Sequence, residues 1–462
     1  MSERTYAHFI GIGGAGMSGI ARVLHDRGIP VSGSDLKDSR YSRALLEAGI
    51  AVAIGHDASN LGDPEVVVVS SAIPDTNPEV VEARRRGLPL WPRAKMLAAL
   101  AEDRLTIAVA GTHGKTTTSS MIATMLSGME LDPTYLIGGE ICAYATNAAC
   151  GSGEHYVVEA DESDGSFLHL DPFVSIITNI EADHLDHYGT LAAVEETFEQ
   201  FAARTASGGA VVVCADDERA VEIVRRSGAR VVTYGTVEEA DIRCTAFRPN
   251  GAGHAFTLTL PEGGSCEVSI STPGLHNVLN ASGALAVAYV LGIDLESAAR
   301  SLADFNGVRR RFDLLGEARG VRVVDDYAHH PTEVRATLAA ARSAEADRVW
   351  VVFQPHRYSR TEALAADFGR AFAGADRVVL MEVYSAGETP IPGVTGKTLV
   401  DQILLTDPRS RVAYLPHRSE IPVFLARSVR DGDLVITMGA GDVTALGPEI
   451  LRGLGEMEGT CP

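Results

Sequence analysis

Lysine is rare in this chain. Only Lys37, Lys95, Lys115 and Lys397 occur among its 40 basic residues, and Lys115 stands inside AVAGTHGKTTT, residues 108–118. Gly111 and Gly114 let backbone approach an anion closely, and the helical pattern that follows would aim its first N–H groups at it. Lys115 would neutralise phosphate oxygens, while the Thr116 hydroxyl could reach a magnesium ion. A chain that writes arginine elsewhere and keeps lysine here uses a compact ammonium. The common phosphate loop, G-x-x-x-x-G-K-[ST], has glycine where this chain has Val109. A shorter, distinct class of loop is expected.

Two acidic stretches follow, each behind a strand-like run. YVVEADESDGSF (156–167) carries Glu159, Asp161, Glu162 and Asp164. Alternation along a strand would put Glu159 and Asp161 on one face, spaced to share a hard cation. ITNIEADHLDHYG (177–189) adds Glu181, Asp183, His184, Asp186 and His187. Either stretch alone reads equally well as solvated loop; both behind the G-K-T strand favour a Mg2+ site.

At the N-terminus, GIGGAGMSG contains G-x-G-x-x-G as Gly11, Gly13 and Gly16, and Asp35 closes the next strand. That pattern suits a dinucleotide, or equally the pyrophosphate of another nucleotide with Asp35 facing the nucleoside. Farther on lie RRRFD (309–313), DDYAHHPTE (325–333) and QPHRYSRT (354–361). His329, His330, His356, Arg357 and Arg360 follow two consecutive strands, and arginines suit bidentate capture of a carboxylate.

The elements that must position these residues are α/β throughout. Apolar strand runs alternate with helical periodicity in three successive sets, which predicts three domains: residues 1–104, 105–308 and 309–462. The first and last read as Rossmann-like, and the central one as P-loop ATPase-like with a mainly parallel sheet. HAFTLTL and CEVSIS resemble an antiparallel hairpin late in the central domain. The net charge of −21 argues against gripping nucleic acid or an anionic membrane. Six cysteines without C-x-x-C spacing read as reduced thiols. No signal peptide or membrane-spanning run is apparent, so a cytoplasmic protein is expected.

GTHGKTTT, EADESDGSF, NIEADHLDHYG, PGLHNVLNA, RRFD, DDYAHHPTE and QPHRYSRT occur in this order over nearly the whole chain. Together they resemble the Mur ligase family, ATP-dependent amide-forming enzymes of bacterial peptidoglycan synthesis. HFIGIGGAGMSGIA and VSGSD are similar to the family's UDP-sugar domain. The resemblance is greatest to the branch that couples L-alanine to the lactyl carboxylate of UDP-N-acetylmuramate through an acyl phosphate. The alternative is the recycling branch, which attaches a whole peptide to the same acceptor.

The resemblance implies ATP on Gly111, Thr112, His113, Gly114, Lys115, Thr116 and Thr117, with Asn277, Arg310 and Asp325 (or Asp326) also reaching the nucleotide, and Asn280 beside Asn277. It implies Mg2+ on Thr116, Glu159 and His184, with Lys115, Glu159 and His184 as the catalytic set. It implies the UDP-sugar on Gly13, Gly14, Ala15, Gly16, Met17, Ser18, Asp35, Ser70 and Ser71. Tyr327, His329, His330, Arg357 and Arg360 would form the amino-acid pocket. The expected assembly is a monomer or weak homodimer. Several family members support a second metal with a carbamoylated lysine, and no lysine lies between Lys115 and Lys397. The alanine-adding branch is expected to lack that device, and Glu195, Glu196 and Glu199 could compensate.

Overall fold

The computed structural model describes residues 6–458. The chain divides into two compact units. The first runs to Arg248 and resumes over Ala255–Ile270 and Val278–Asn306; the second takes Pro249–His254, Ser271–Asn277 and the chain from Gly307 onward.

The first unit carries two sheets. In the N-terminal one, β1 (Ala7–Ile10), β2 (Val31–Asp35), β3 (Ala51–Ile54), β4 (Val66–Val69) and β5 (Leu90–Pro92) lie in the order β3-β2-β1-β4-β5, all parallel. The order reverses beside β1, and ligands of such sheets bind in the crevice beyond the strand ends at that point. Gly11–Gly14 and Ser70 lie there.

The second sheet has ten strands: β6 (Leu105–Ala110), β7 (Thr134–Ile141), β8 (Thr146–Ala149), β9 (His155–Glu159), β10 (Val174–Ile177), β11 (Ala210–Cys214), β12 (Val231–Gly235), β13 (Ile242–Asn250), β14 (Gly253–Thr259) and β15 (Ser265–Ile270). Their order is β15-β14-β13-β12-β11-β10-β6-β9-β7-β8. Unbroken apolar runs such as AVVVC of β11 are buried on both faces, as a parallel sheet covered by helices requires. β14 and β15 are joined by a turn in which Leu260 N–H donates to the Gly264 carbonyl, so the hairpin expected from the sequence is present. Because β6 lies between β9 and β10 in parallel register, the loops after all three emerge together. That topology brings the G-K-T loop to both acidic stretches.

Leu105 opens this second sheet, yet the two sheets share one core. Leu136 and Ala148 pack with Met17, Ile20 and Val23 of the helix Ala15–Asp26. Gly19 permits this approach, since a Cβ there would fall 2.9 Å from Leu136 Cδ2.

In the second unit, β16 (Asp313–Ala318), β17 (Val321–Asp326), β18 (Arg348–Phe353), β19 (Arg377–Leu380), β20 (Val412–Tyr414) and β21 (Asp433–Met438) form the order β16-β17-β21-β18-β19-β20. Only β16 runs antiparallel among these pairings. The insertion of β21 between β17 and β18 makes neighbours of Asp325, Gly439 and Gln354. Both faces are closed by apolar clusters, one around Phe353, Phe368 and Phe372, the other around Trp350 and Val435. Among the described residues no helix is long and apolar enough to cross a membrane. Five cysteines are free thiols; Cys461 lies outside the described residues.

Candidate active site

The G-K-T loop spans the turn between β6 and the helix Lys115–Gly128. Val109 is a buried residue inside β6, so the turn begins at Gly111, later than in the common loop. Gly111 has φ +131°, and a Cβ there would stand 2.0 Å from Thr178 Oγ1; Gly114 caps the helix at φ +84°. No side chain caps that helix, which leaves its first N–H groups to an anion. The loop is braced from the far side of β10. His113 N–H donates to Asn179 Oδ1 (2.9 Å), Asn179 Nδ2 donates to the His113 carbonyl (3.0 Å), and Glu181 N–H donates to Thr112 Oγ1 (2.8 Å). Thr118 Oγ1 donates to Asn280 Oδ1 (3.2 Å), tying the helix Leu275–Val290 to the same turn. Thr117 is half-buried.

Lys115 Nζ donates to Glu162 Oε1 (2.7 Å) and to the Gly111 carbonyl (2.6 Å). Burial opposes its charge, but Glu162, Glu159 and Asp161 outweigh burial and hold its ammonium above the usual lysine value. Burial pushes the Glu162 carboxyl up to about 7 against the pull of Lys115. Glu162 Oε2 is buried with no hydrogen-bond partner. Thr116 Oγ1 donates to Glu159 Oε1 (3.2 Å), and Glu159 Oε2 accepts from Gly138 N–H (2.8 Å). His184 stands at φ +56° before the short helix Leu185–Tyr188, its Nε2 3.8 Å from Glu162 Oε1 and 3.7 Å from Asp183 Oδ2. Lys115, Thr116, Glu159, Glu162 and His184 thus converge.

Two expectations are corrected here. Glu159 and Asp161 do not act together on one face. β9 ends at Glu159, and Asp161 turns to Arg93 (3.3 Å) and Ser163 N–H (3.0 Å). Glu195, Glu196 and Glu199 do not compensate for a missing lysine. Glu195 pairs with Arg219, Glu199 with Arg226 (2.8 Å), and Glu196 accepts from Gln200 (3.5 Å). The helices Leu191–Ala203 and Glu218–Arg226 pack together, so Glu195 and Glu199 meet arginines rather than a metal ion.

At the N-terminal turn, the helix Ala15–Asp26 also starts without a side-chain cap, at Gly14. Its first N–H groups, on Ala15, Gly16 and Met17, are available to an anion. The Met17 side chain is buried in the core, and Ser18 Oγ donates back to the Ala15 carbonyl (3.0 Å). These two therefore offer backbone rather than side chain. Asp35 accepts from Gly13 N–H (2.9 Å) and Lys37 N–H (3.2 Å), so it fixes the turn instead of facing outward to a nucleoside. Ser70 and Ser71 line a cleft of about 400 Å³ whose walls include Arg93, Asp164 and His169.

In the second unit, Arg310 Nε donates to Asp325 Oδ2 (3.2 Å), and the Arg310 NH2 group donates to the Gly439 carbonyl (2.6 Å). Asp325 also accepts from Thr437 (2.6 Å) and Thr444 (2.7 Å); it is buried and anchors Arg310 rather than presenting a free oxygen. Asp326 accepts from Phe312 N–H and Ala328 N–H (both 2.8 Å). Burial raises its carboxyl to about 6 despite Arg311 and those donors. The guanidiniums of Arg310 and Arg311 lie over the Tyr327 ring at 4.9 and 5.1 Å. His329 and His356 meet edge to face at 5.9 Å, and His356 stacks on Tyr384. Burial and the charges of Arg360 and Arg357, with His329, push His356 down to about 4, so it is neutral near pH 7. Arg360 lies 3.4 Å from His356 Nδ1. His330 is buried and caps the helix Pro331–Arg342, in a box with Glu333. Asn277 is buried, its Nδ2 donating to the Pro273 carbonyl (2.7 Å).

Glu162, Thr178, Asn179, Arg93 and Tyr384 were not assigned roles from the sequence. Asn179 and Glu162 stand inside the quoted acidic stretches, so position along a strand end was the available signal. Nothing local marks Arg93, which reaches Asp161 across 68 residues.

Three family models match successive parts of the chain: "Mur ligase family, catalytic domain" over residues 6–105, "Mur ligase middle domain" over 109–288, and "Mur ligase, glutamate ligase domain" over 310–441. A UDP-N-acetylmuramate–L-alanine ligase of Kineococcus radiotolerans is 51% identical over 457 residues, covering 97% of this chain and 96% of its own. The crystal structure of a UDP-N-acetylmuramate–alanine ligase from Thermotoga maritima superposes with a TM-score of 0.83 at 30% identity, covering 99% of this chain and 100% of that one. A murein peptide ligase from Psychrobacter arcticus gives 0.73 at 26% identity, over 98% and 99%. With every part of its α/β architecture matched and half its residues shared with a relative of full length, the chain belongs to the Mur ligase family.

Proposed function

We propose that this protein joins L-alanine to the lactyl carboxylate of UDP-N-acetylmuramate at the expense of ATP. The carboxylate oxygen takes the γ-phosphoryl group as the bond to ADP breaks. The alanine nitrogen then attacks the acyl carbon, loses a proton, and inorganic phosphate departs. Such chemistry asks a protein mainly for positioning and charge neutralisation. The observation that carries the reading is the uncapped helix Lys115–Gly128 with Lys115 held at its mouth by Glu162 (2.7 Å).

In this reading residues 1–104 hold the UDP-sugar, 105–308 the ATP and 309–462 the amino acid. Gly111–Gly114 and the first helical N–H groups cradle phosphate oxygens, and Lys115 neutralises them. The oxygens of Thr116 and Glu159, 3.2 Å apart, and the partnerless Glu162 Oε2 suit a hard cation such as Mg2+, with His184 a further ligand. When bound, that ion would neutralise phosphate charge. Arg357 and Arg360 would hold the alanine carboxylate, and neutral His356 with Tyr384 would wall the pocket.

Phosphate release assayed with one substrate omitted at a time tests this. Turnover should require ATP, UDP-N-acetylmuramate and L-alanine together, and Lys115→Ala should lower it about 10²–10³-fold or more with folding retained. A requirement for a peptide in place of L-alanine would transfer the protein to the recycling branch. Between the two solved structures, the greater likeness to the alanine ligase (TM-score 0.83, 30% identity) than to the murein peptide ligase (0.73, 26%) supports the single amino acid.

A further inference from the structure

Strand β7 is interrupted where it faces β8. Leu136 registers against Ala148 and Ile141 against Thr146, so residues 137–140 stand opposite the single residue Asn147. Extra residues on one strand of an antiparallel pair form a bulge, and the ladder is locally lost. Gly138 lies in this bulge, and a Cβ there would fall 2.8 Å from both carboxylate oxygens of Glu159. The Gly138 N–H donates instead to Glu159 Oε2 (2.8 Å), while Glu159 Oε1 accepts from Thr116 (3.2 Å). The bulge therefore holds the carboxylate proposed for the metal.

Asn147 pins that bulge to a second site. Its Nδ2 donates to the carbonyl of Ile137 (3.2 Å), the residue before Gly138, and to the carbonyl of Ala15 (3.1 Å). Carbonyls only accept, so the NH2 group alone can serve both, with one hydrogen for each. Ala15 opens the helix Ala15–Asp26, whose first N–H groups have no side-chain cap and are available to an anion. The same helix packs Gly19 against Leu136 and Ala148. Apolar contact of that kind is non-directional. The paired hydrogen bonds are directional, and they fix where Ala15 stands relative to Gly138.

We infer that Asn147 is a positioning residue that sets the spacing between the N-terminal anion turn and the Glu159 carboxylate. Resting on the function proposed above, this spacing governs how the lactyl carboxylate of the sugar nucleotide meets the γ-phosphate of ATP. The turn at Gly11–Gly14 is built on β1 and β2, and the loop at Gly111–Gly114 on β6 and β10, so each substrate binds without help from Asn147. What the amide supplies is their mutual alignment. Misplacement of reacting atoms by about 1 Å can cost ~10²-fold in rate.

Three substitutions in the full chain test this. Asn147→Ala removes the donors, and Asn147→Leu removes them while nearly keeping the volume, which keeps the test decisive where alanine does not fold. Asn147→Gln retains an NH2 group on a longer stem, and the cavity of about 160 Å³ that Asn147 lines with Ser18 and Glu140 has room for the added methylene. Titration calorimetry gives the Kd of ATP and of UDP-N-acetylmuramate separately, and steady-state phosphate release gives kcat. The alanine and leucine variants should keep both Kd values within about twofold and lose kcat about tenfold, and glutamine should recover part of that loss. Unchanged kcat in the leucine variant overturns the inference. So does a Kd that rises about tenfold while kcat holds, which would make Asn147 a support for one substrate alone. A glutamine variant as slow as the leucine one overturns the assignment to the paired donors. Wild-type protein that binds no UDP-N-acetylmuramate overturns the proposed function and this inference with it, whereas normal wild-type turnover beside unaffected variants overturns the positioning role alone.

Discussion

Lys115 and Glu162 form a buried pair whose members support each other only while both are present. Removing one partner of such a pair strands a charge and costs about 3–5 kcal/mol, whereas removing both costs far less. Glu162→Gln should therefore destabilise the first unit most at pH 8 and above, where the Glu162 carboxyl is ionised, and Lys115→Met added to it should recover much of the loss in urea unfolding. Additive losses, within ~0.5 kcal/mol, would count against the coupling. A second buried acid makes a pH prediction. Glu79 accepts from His8 (2.8 Å) and Ser34 (2.8 Å) and binds Asn60 (3.2 Å). Burial works against its charge, but these partners outweigh burial and hold its carboxyl below the usual value of 4.5. The stability it contributes is present above that value and is lost as pH falls through the lower folded one. Glu79→Gln should thus cost about 1–3 kcal/mol at pH 7 and progressively less in acid. Equal losses at pH 7 and pH 3.5 would contradict this.

Among the elements, the turn from β6 into the helix Lys115–Gly128 tolerates little change. Gly111→Ala sets a Cβ against Thr178 Oγ1 at a backbone angle that L side chains rarely adopt. It should cost about 1–3 kcal/mol and weaken ATP binding in calorimetry; unchanged affinity would show that the turn can shift freely. This turn was legible in the sequence because strand, glycines and helix are contiguous, so local pattern and local chemistry coincide. The braces were not. Asn179 reaches His113 across 66 residues and Glu162 reaches Lys115 across 47, and only the placement of β6 between β9 and β10 brings them together. The same limit misassigned Glu195 and Glu199. A row of acids on one helix face is visible in sequence, but the arginines opposite belong to a helix about two dozen residues away. Asp35 was found by position alone; that it holds Gly13 N–H depends on how the glycine turn closes over β2.

At the scale of the whole molecule, the two compact units have separate apolar clusters. Calorimetric unfolding should therefore resolve more than one transition, with a calorimetric enthalpy above the van't Hoff value. ATP should shift the transition of the first unit alone, and Lys115→Ala should cancel that shift. A single two-state endotherm would refute the independence of the units. The N-terminal and ATP-loop sheets, by contrast, interlock through Gly19, Leu136 and Ala148 within one unit. If the N-terminal turn holds the UDP-sugar as proposed, a synthetic inhibitor that tethers a uridine-like head to a phosphate-loop binder would meet two anchorages within one compact unit. Its optimal spacer length becomes a fixed property of the scaffold, measurable once and transferable between compound series.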